Sequence, residues 1–183
     1  IDALKQETGT EYKGFLYGQF MKTKKGIKLV EYNVRFGDPE AMNVLPILET
    51  NFVDICRGIL DGNLNKIEVK YKPVSTVVKY LVPDGYPVSP AANKKIEVNE
   101  KKLEEIGAKY YYASVNQKED GAIVSSTSRS FGVLGIANSL EKAEKIAEQG
   151  TDFIQGNLFH RKDIGTAGLL QKRMEHMNRI LNE

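Results

Sequence analysis

The chain has 183 residues, with 26 Lys plus Arg against 24 Asp plus Glu and a formal net charge of +2. That length allows one sizeable domain or two small ones with a real buried core, and the near-balanced charge provides neither a nucleic-acid-binding surplus nor an acidic tail. A single cysteine, Cys56, excludes an intrachain disulfide or a multi-cysteine zinc site, no run of about 18 apolar residues marks a membrane span, and Ile1-Asp2-Ala3-Leu4-Lys5 has no signal-peptide pattern.

These features predict a soluble protein of a reducing compartment, by default the cytoplasm, with no membrane or nucleic-acid partner. Residues 1 to 13 are polar and read as helical or frayed. Gly14 to Met21 is an aromatic-rich strand, Lys24-Lys25-Gly26 a solvated hairpin turn, and Ile27 to Phe36 the antiparallel return. Strand alternation puts Leu29, Glu31, Asn33 and Arg35 on one face and Val30, Tyr32, Val34 and Phe36 on the other, which is expected to be core. The return also carries Gln19 close to Glu31 and Asn33. The carboxylate, carboxamide and guanidinium of Glu31, Asn33 and Arg35 together suit a magnesium-phosphate site, because a hard cation takes oxygen ligands and an arginine fork matches phosphoryl or carboxylate oxygens. The plainer alternative is the solvent face of an ordinary amphipathic strand. Gly37-Asp38-Pro39 then bends the chain.

Pro46 argues against one long helix after the bend. A helix is predicted from Thr50 or Asn51 to a stop at Gly62, with Cys56 on its apolar face as a small core residue rather than a nucleophile. A second unit is expected to begin around Tyr71-Lys72-Pro73. Its predicted strands are Val74 to Val82, Lys94 to Val98, Ala108 to Val115, Ala122 to Ser126 and Phe131 to Ala137, with a short helix near Asn99 to Ile106. A helix opening at Ser139 is predicted to stop at Gly150. A last one, from about Thr166, shows Leu169, Leu170, Met174, Met177, Ile180 and Leu181 at helical spacing, its methionines expected as core filler. His160 and His176 are expected to be structural or exposed.

The string Glu31-x-Asn33-x-Arg35-Phe36-Gly37-Asp38-Pro39-Glu40 closely resembles the metal-binding strand of the phosphoribosylamine-glycine ligases, also called glycinamide ribonucleotide synthetases. These are ATP-grasp enzymes of purine biosynthesis. The resemblance extends through Val-Pro-Asp-Gly-Tyr-Pro at 82 to 87, Gly-Val-Leu-Gly at 132 to 135 and Arg-Lys-Asp-Ile-Gly at 161 to 165. It implies an α+β fold: residues 1–72 as the second half of an ATP-grasp domain, an antiparallel sheet with helices, and residues 73–183 as a small, mainly β C-terminal domain with flanking helices. It implies an ATP-dependent ligase that activates glycine as glycyl phosphate for attack by 5-phosphoribosylamine, with Mg2+ or Mn2+ and with ATP as co-substrate. Glu31 would bridge two metal ions, Asn33 would ligate one, Gln19 would complete the set, and Arg35 would stabilise the acyl-phosphate oxygens. Gly37 and Asp38 would place glycine, Asp38 facing its ammonium group, although Asp38 serves equally to cap the turn before Pro39.

Two departures from the family stand out. Ser125-Ser126-Thr127-Ser128-Arg129-Ser130 replaces a glycine-rich Thr-x-Gly-Gly-Arg, so no role passes to Arg129, and the hydroxyl run is read as a solvated hairpin loop ahead of the alternative that it helps hold an anion. The family's amino-terminal domain and its ATP-grasp lid and hinge have no counterpart in these 183 residues, so the chain is expected to be incomplete and inactive alone. The rival readings are a non-catalytic binding or assembly module, and an ATP-grasp ligase with another substrate.

Overall fold

A computed structural model describes residues 1–182, which divide into two units, Ile1–Lys72 and Pro73–Asn182. In the first, α1 (Asp2–Thr8) ends at Gly9, whose φ of 71° lets its N–H turn back to the Lys5 carbonyl. Tyr17–Thr23 (β1) and Gly26–Asn33 (β2) form an antiparallel ribbon, closed at its tip by Gly26 with φ 98°. The register sets Gln19 opposite Glu31 and Tyr17 opposite Asn33, and an irregularity between Gln19 and Phe20 shifts the pairing.

The ribbon corrects two expectations. β2 stops at Asn33 rather than running to Phe36, so the strand alternation does not carry through to Arg35. The face expected to be core is open: Val30, Tyr32 and Val34 are 53%, 57% and 69% exposed, because among the described residues the ribbon is a two-stranded sheet with no third strand paired to it. Phe36 alone of that set is half-buried, its ring stacked on Phe15 at 4.1 Å and tilted against Phe52 at 6.1 Å.

Beyond the bend, α2 (Glu40–Val44) tightens into a 3-10 turn at Leu45–Ile47, where Pro46 sits. α3 (Phe52–Leu60) starts at Asn51, whose side chain accepts the Val53 N–H at 2.9 Å. It finishes at Asp61-Gly62, with Gly62 at φ 70°. Cys56 is half-buried on this helix.

In the second unit the strands are β3 (Ser75–Pro83), β4 (Lys95–Val98), β5 (Lys109–Tyr112), β6 (Val115–Gln117), β7 (Ile123–Ser125), β8 (Phe131–Ala137), β9 (Ile154–Gly156) and β10 (Leu158–Phe159). The helices are α4 (Glu100–Glu105), α5 (Leu140–Thr151) and α6 (Ala167–Asn182). Two antiparallel sheets result, ordered β10-β3-β8-β5 and β6-β7-β4-β9. Leu81, Ile96, Leu103, Phe131, Val133 and Ile154 form the main core. α5 lies over β3, burying Ala143 and Ala147 against Val77. That approach depends on Gly135 of β8, where a Cβ would run into the Ala143 carbonyl.

Four further expectations change here. The strand foreseen over 108–115 is two strands in different sheets: Ala113 and Ser114 bond Ser130 and Arg129 before the chain crosses over. Gly150 does not stop its helix but lies buried within it, where Val133, Ala108 and Leu103 leave no room for a side chain. The Ser125–Ser130 run is solvated only in its middle: Thr127 is exposed, but both ends are buried. Ser125 is fully buried, donating to the Ala91 carbonyl and accepting the Lys94 N–H, Ser130 is likewise buried, and the Arg129 guanidinium covers the Tyr80 ring at 4.9 Å. The methionines of α6 are not core filler, since the helix buries no residue and Met174 is 61% exposed.

Candidate active site

Residues directly opposite on an antiparallel pair share a face, as do residues two apart on one strand. The ribbon therefore brings Gln19, Glu31 and Asn33 together on one side, and the Asn33 Nδ2 donates to Glu31 Oε1 at 2.8 Å. Gln19 and Glu31 are exposed and Asn33 is half-buried. All the acceptors here are oxygens, one carboxylate and two carboxamides. That set suits Mg2+ or Mn2+, which binds through one or two carboxylates and completes its shell with water and substrate phosphates.

The other three candidates lie beyond the strand. Arg35 is exposed, and its Nη1 donates to the carbonyl of the adjacent Phe36 at 2.6 Å, so its fork is held against its own turn. Gly37 is buried, and Asp38 is exposed and joined to Pro39 through a cis peptide. Gly37 is closely approached by two side chains: a Cβ there would meet Glu40 Oε2 and would lie 2.9 Å from Tyr17 Cε2, so any larger residue must displace them. Above it, the Tyr17 hydroxyl donates to Glu40 Oε1 at 2.9 Å. That hydrogen bond first, then desolvation and the negative charges of Glu40 and Glu31, pushes the Tyr17 phenol above its ordinary value.

Sequence reasoning assigned nothing to Tyr17 or Glu40. Glu40 closes the motif string, which was a usable signal. Tyr17 reaches it only through a register that includes a bulge, which alternation does not show.

A second polar cluster also went unforeseen. Lys79 on β3 is 1% exposed, and its Nζ reaches Glu144 Oε1 at 2.6 Å, Glu148 Oε2 at 2.5 Å and the Lys162 carbonyl at 2.9 Å. His160 Nε2 lies 3.1 Å from the same Glu148 Oε2. Burial raises the Glu148 carboxyl, and hydrogen bonds from Lys79 and His160 outweigh it, leaving the group below the ordinary carboxylate range. The traces in the sequence were a lysine on the inward-facing repeat Val77-Lys79-Leu81 and glutamates four apart on one helix face.

An α+β chain whose ribbon sets Gln19, Glu31 and Asn33 on one face and runs into Arg-Phe-Gly-Asp-Pro-Glu, followed by a small β-rich unit, fits part of an ATP-grasp protein. Residues 76–167 match the C domain of phosphoribosylglycinamide synthetase and residues 1–41 match its ATP-grasp (A) domain. The chain belongs to the phosphoribosylglycinamide synthetase family. It is 51% identical over 181 residues to the phosphoribosylamine-glycine ligase of Methanococcus vannielii, which covers 99% of this chain and 40% of the relative. It is 55% identical over 171 residues to that of Methanobrevibacter smithii, covering 93% and 38%. The crystal structure of phosphoribosylamine-glycine ligase from Thermotoga maritima superposes with a TM-score of 0.70 at 27% identity, covering 86% of this chain and 38% of that one. The chain thus spans about 40% of the length of the curated relatives it matches.

Proposed function

We propose that this chain is the metal-bearing, carboxy-terminal part of an ATP-dependent carbon-nitrogen ligase that joins glycine to 5-phosphoribosylamine in purine biosynthesis. The observation that carries this reading is the convergence of Gln19, Glu31 and Asn33 on one face of a ribbon that runs into the Arg35–Glu40 turn. In the reaction, a glycine carboxylate oxygen attacks the γ-phosphorus of ATP and ADP leaves. The amine of 5-phosphoribosylamine then attacks the carbonyl carbon of glycyl phosphate and inorganic phosphate leaves.

Neither step needs an enzyme nucleophile. What the protein supplies is alignment and charge neutralisation. Glu31 and Asn33 would hold Mg2+ or Mn2+, with Gln19 completing the set, and the bound ion supplies charge neutralisation at the phosphates. Arg35 brings a fixed positive charge to the turn and stabilises the acyl-phosphate oxygens on leaving the Phe36 carbonyl. Gly37 shapes the turn, and the exposed Asp38 accepts from the glycine ammonium.

In this reading the nucleotide-binding lid belongs to the remaining length of the relatives, of which this chain covers 40%. ATP binding therefore rests on regions outside these residues. Among the described residues no helix is long and apolar enough to cross a membrane, and a cytoplasmic setting supplies both ATP and the reducing conditions that suit a lone cysteine.

The test is ADP release on mixing ATP, Mg2+, glycine and 5-phosphoribosylamine with the 183-residue chain and, separately, with the full-length parent. The parent is expected to turn over and the chain alone to be silent. Turnover by the chain alone overturns its incompleteness, and a parent that ignores glycine overturns the ligase reading.

A further inference from the structure

We propose that Tyr17 and Glu40 act as positioning residues for the ligase reaction, a brace that holds the Gly37-Asp38 turn at a fixed distance from the metal-ligand face of the ribbon. This rests on the reading of the site given above and assigns roles to two residues that it leaves unused.

Three contacts build the brace. Tyr17 is paired across the ribbon with Asn33, so its backbone is tied to the strand end that carries a metal ligand. Its hydroxyl donates to Glu40 Oε1 at 2.9 Å, crossing 23 residues of sequence to the first residue of α2. The second oxygen of Glu40 lies against Gly37, in the space that any other residue's Cβ would occupy. One side of the turn is thus clamped between a phenol and a carboxylate. At its start, Phe36 is stacked on Phe15, a residue that precedes β1. These two side-chain contacts anchor the turn near the beginning of β1, beside the Ala41 N–H bond to the Gly37 carbonyl at 2.9 Å.

The purpose of such an arrangement follows from the chemistry. Arg35 and Asp38 lie beyond the end of β2, outside the ladder of β1 and β2. Glycine offers only an ammonium and a carboxylate to recognise, so its orientation against a phosphoryl donor depends on the spacing between the turn and the metal ligands. An error of about 1 Å in such spacing can cost on the order of 100-fold. The Tyr17-Glu40 hydrogen bond sets that spacing without touching substrate.

The experiment uses the full-length parent with Tyr17→Phe, Glu40→Gln, Glu40→Ala and the Tyr17→Phe/Glu40→Ala double variant. Tyr17→Phe removes only the hydroxyl. Its kcat/KM for glycine is expected to fall roughly 10- to 100-fold, while the KM for ATP and the melting temperature hold. Glu40→Gln retains an acceptor for the phenol and is expected to keep more activity than Glu40→Ala. The double variant is expected to be no worse than Glu40→Ala alone, since both substitutions cut one bond.

A purely structural role would lower the melting temperature and move the glycine and ATP parameters together, which overturns the proposal. So does an unchanged glycine kcat/KM in Tyr17→Phe within a parent that Glu31→Gln silences, which leaves the ligase reading standing. A wild-type parent with no glycine-dependent ADP release overturns both.

Discussion

The Lys79 ammonium sits 2.5 Å from Glu148 Oε2 with its side chain fully withdrawn from solvent, although the Glu148 side chain remains 34% exposed. The pair therefore joins a buried cation to a carboxylate that still touches water. Glu144 at 2.6 Å and the Lys162 carbonyl complete the coordination of the ammonium, so one side chain ties β3 to α5 and to the Arg161–Gly165 segment before α6.

Replacing Lys79 with Met leaves two carboxylates facing each other without their cation. Removing one partner of a fully buried pair costs roughly 3 to 5 kcal/mol. Here Glu148 can turn toward solvent, so a loss of about 2 to 3 kcal/mol is expected. Urea unfolding of the chain measures it, and a loss under about 0.5 kcal/mol, the size of an ordinary surface substitution, would remove Lys79 from the ledger of structural residues.

The same cluster fixes a pH dependence. Glu148 has a folded-state value lowered from 4.5, so folding favours its ionised form and the folded state binds fewer protons than the unfolded one. The resulting stabilisation is fully present above about 4.5 and is lost as pH falls through the lower folded value. Unfolding free energy followed from pH 6 downward should drop more steeply in the wild type than in Glu148→Gln, which has no carboxyl at that position. Lys79, Glu144 and His160 face this carboxylate from β3, from α5 and from the segment after β10. Parallel curves for the two proteins would show that Glu148 titrates alike in both states.

Gly150 separates two opposed effects of one methyl group. In an exposed helix interior, Gly→Ala stabilises by about 1 kcal/mol. At Gly150 a Cβ would lie 2.7 Å from Val133 Cγ1 and 3.2 Å from Ala108 Cβ, both in the packed core. Overpacking of that kind costs about 1 to 3 kcal/mol, so Gly150→Ala is expected to lower the melting temperature. A rise would mean that α5 can slide away from β8 and β5 at little cost.

Much of this was legible beforehand for identifiable reasons. Asn51 and Ser139 announce their helices because a short polar side chain accepts the N–H of a first-turn residue, and both do so here. The hairpin at Lys24-Lys25-Gly26 follows from the left-handed backbone of Gly26. The shared face of Glu31 and Asn33 was visible because strand alternation is a local property. What sequence could not supply was partnership across distance. Gly150 looks like a helix stop until the close approach of Val133 is known, and Val30, Tyr32 and Val34 look like core until it emerges that, among the described residues, no other strand joins their ribbon. Lys79 looks like an interruption in a β-branched strand until α5 brings two carboxylates over it.

Glu31→Gln tests the proposed ligand face. It keeps the shape and the hydrogen-bond acceptor for Asn33 but removes the only carboxylate among the three candidate ligands. In the full-length parent, turnover should fall by several orders of magnitude with little change in melting temperature, because Glu31 is exposed. Near-normal turnover would exclude Glu31 from the metal site.

Arg35 is where the scaffold and chemical readings separate most clearly. In this structure it donates to the neighbouring Phe36 carbonyl, a bond that a lysine ammonium also makes, and it is exposed. If holding the turn is its whole task, Arg35→Lys in the parent should be close to silent. If it clamps the acyl phosphate, a lysine cannot reproduce the planar two-donor fork, and the change is not conservative. The expected loss is on the order of 2 to 4 kcal/mol in kcat, the size of removing one transition-state donor, with the melting temperature unchanged. Measuring kcat and melting temperature on one preparation decides between them: an intact kcat, or a loss matched by unfolding, leaves Arg35 as scaffold and confines the chemistry to Gln19, Glu31 and Asn33.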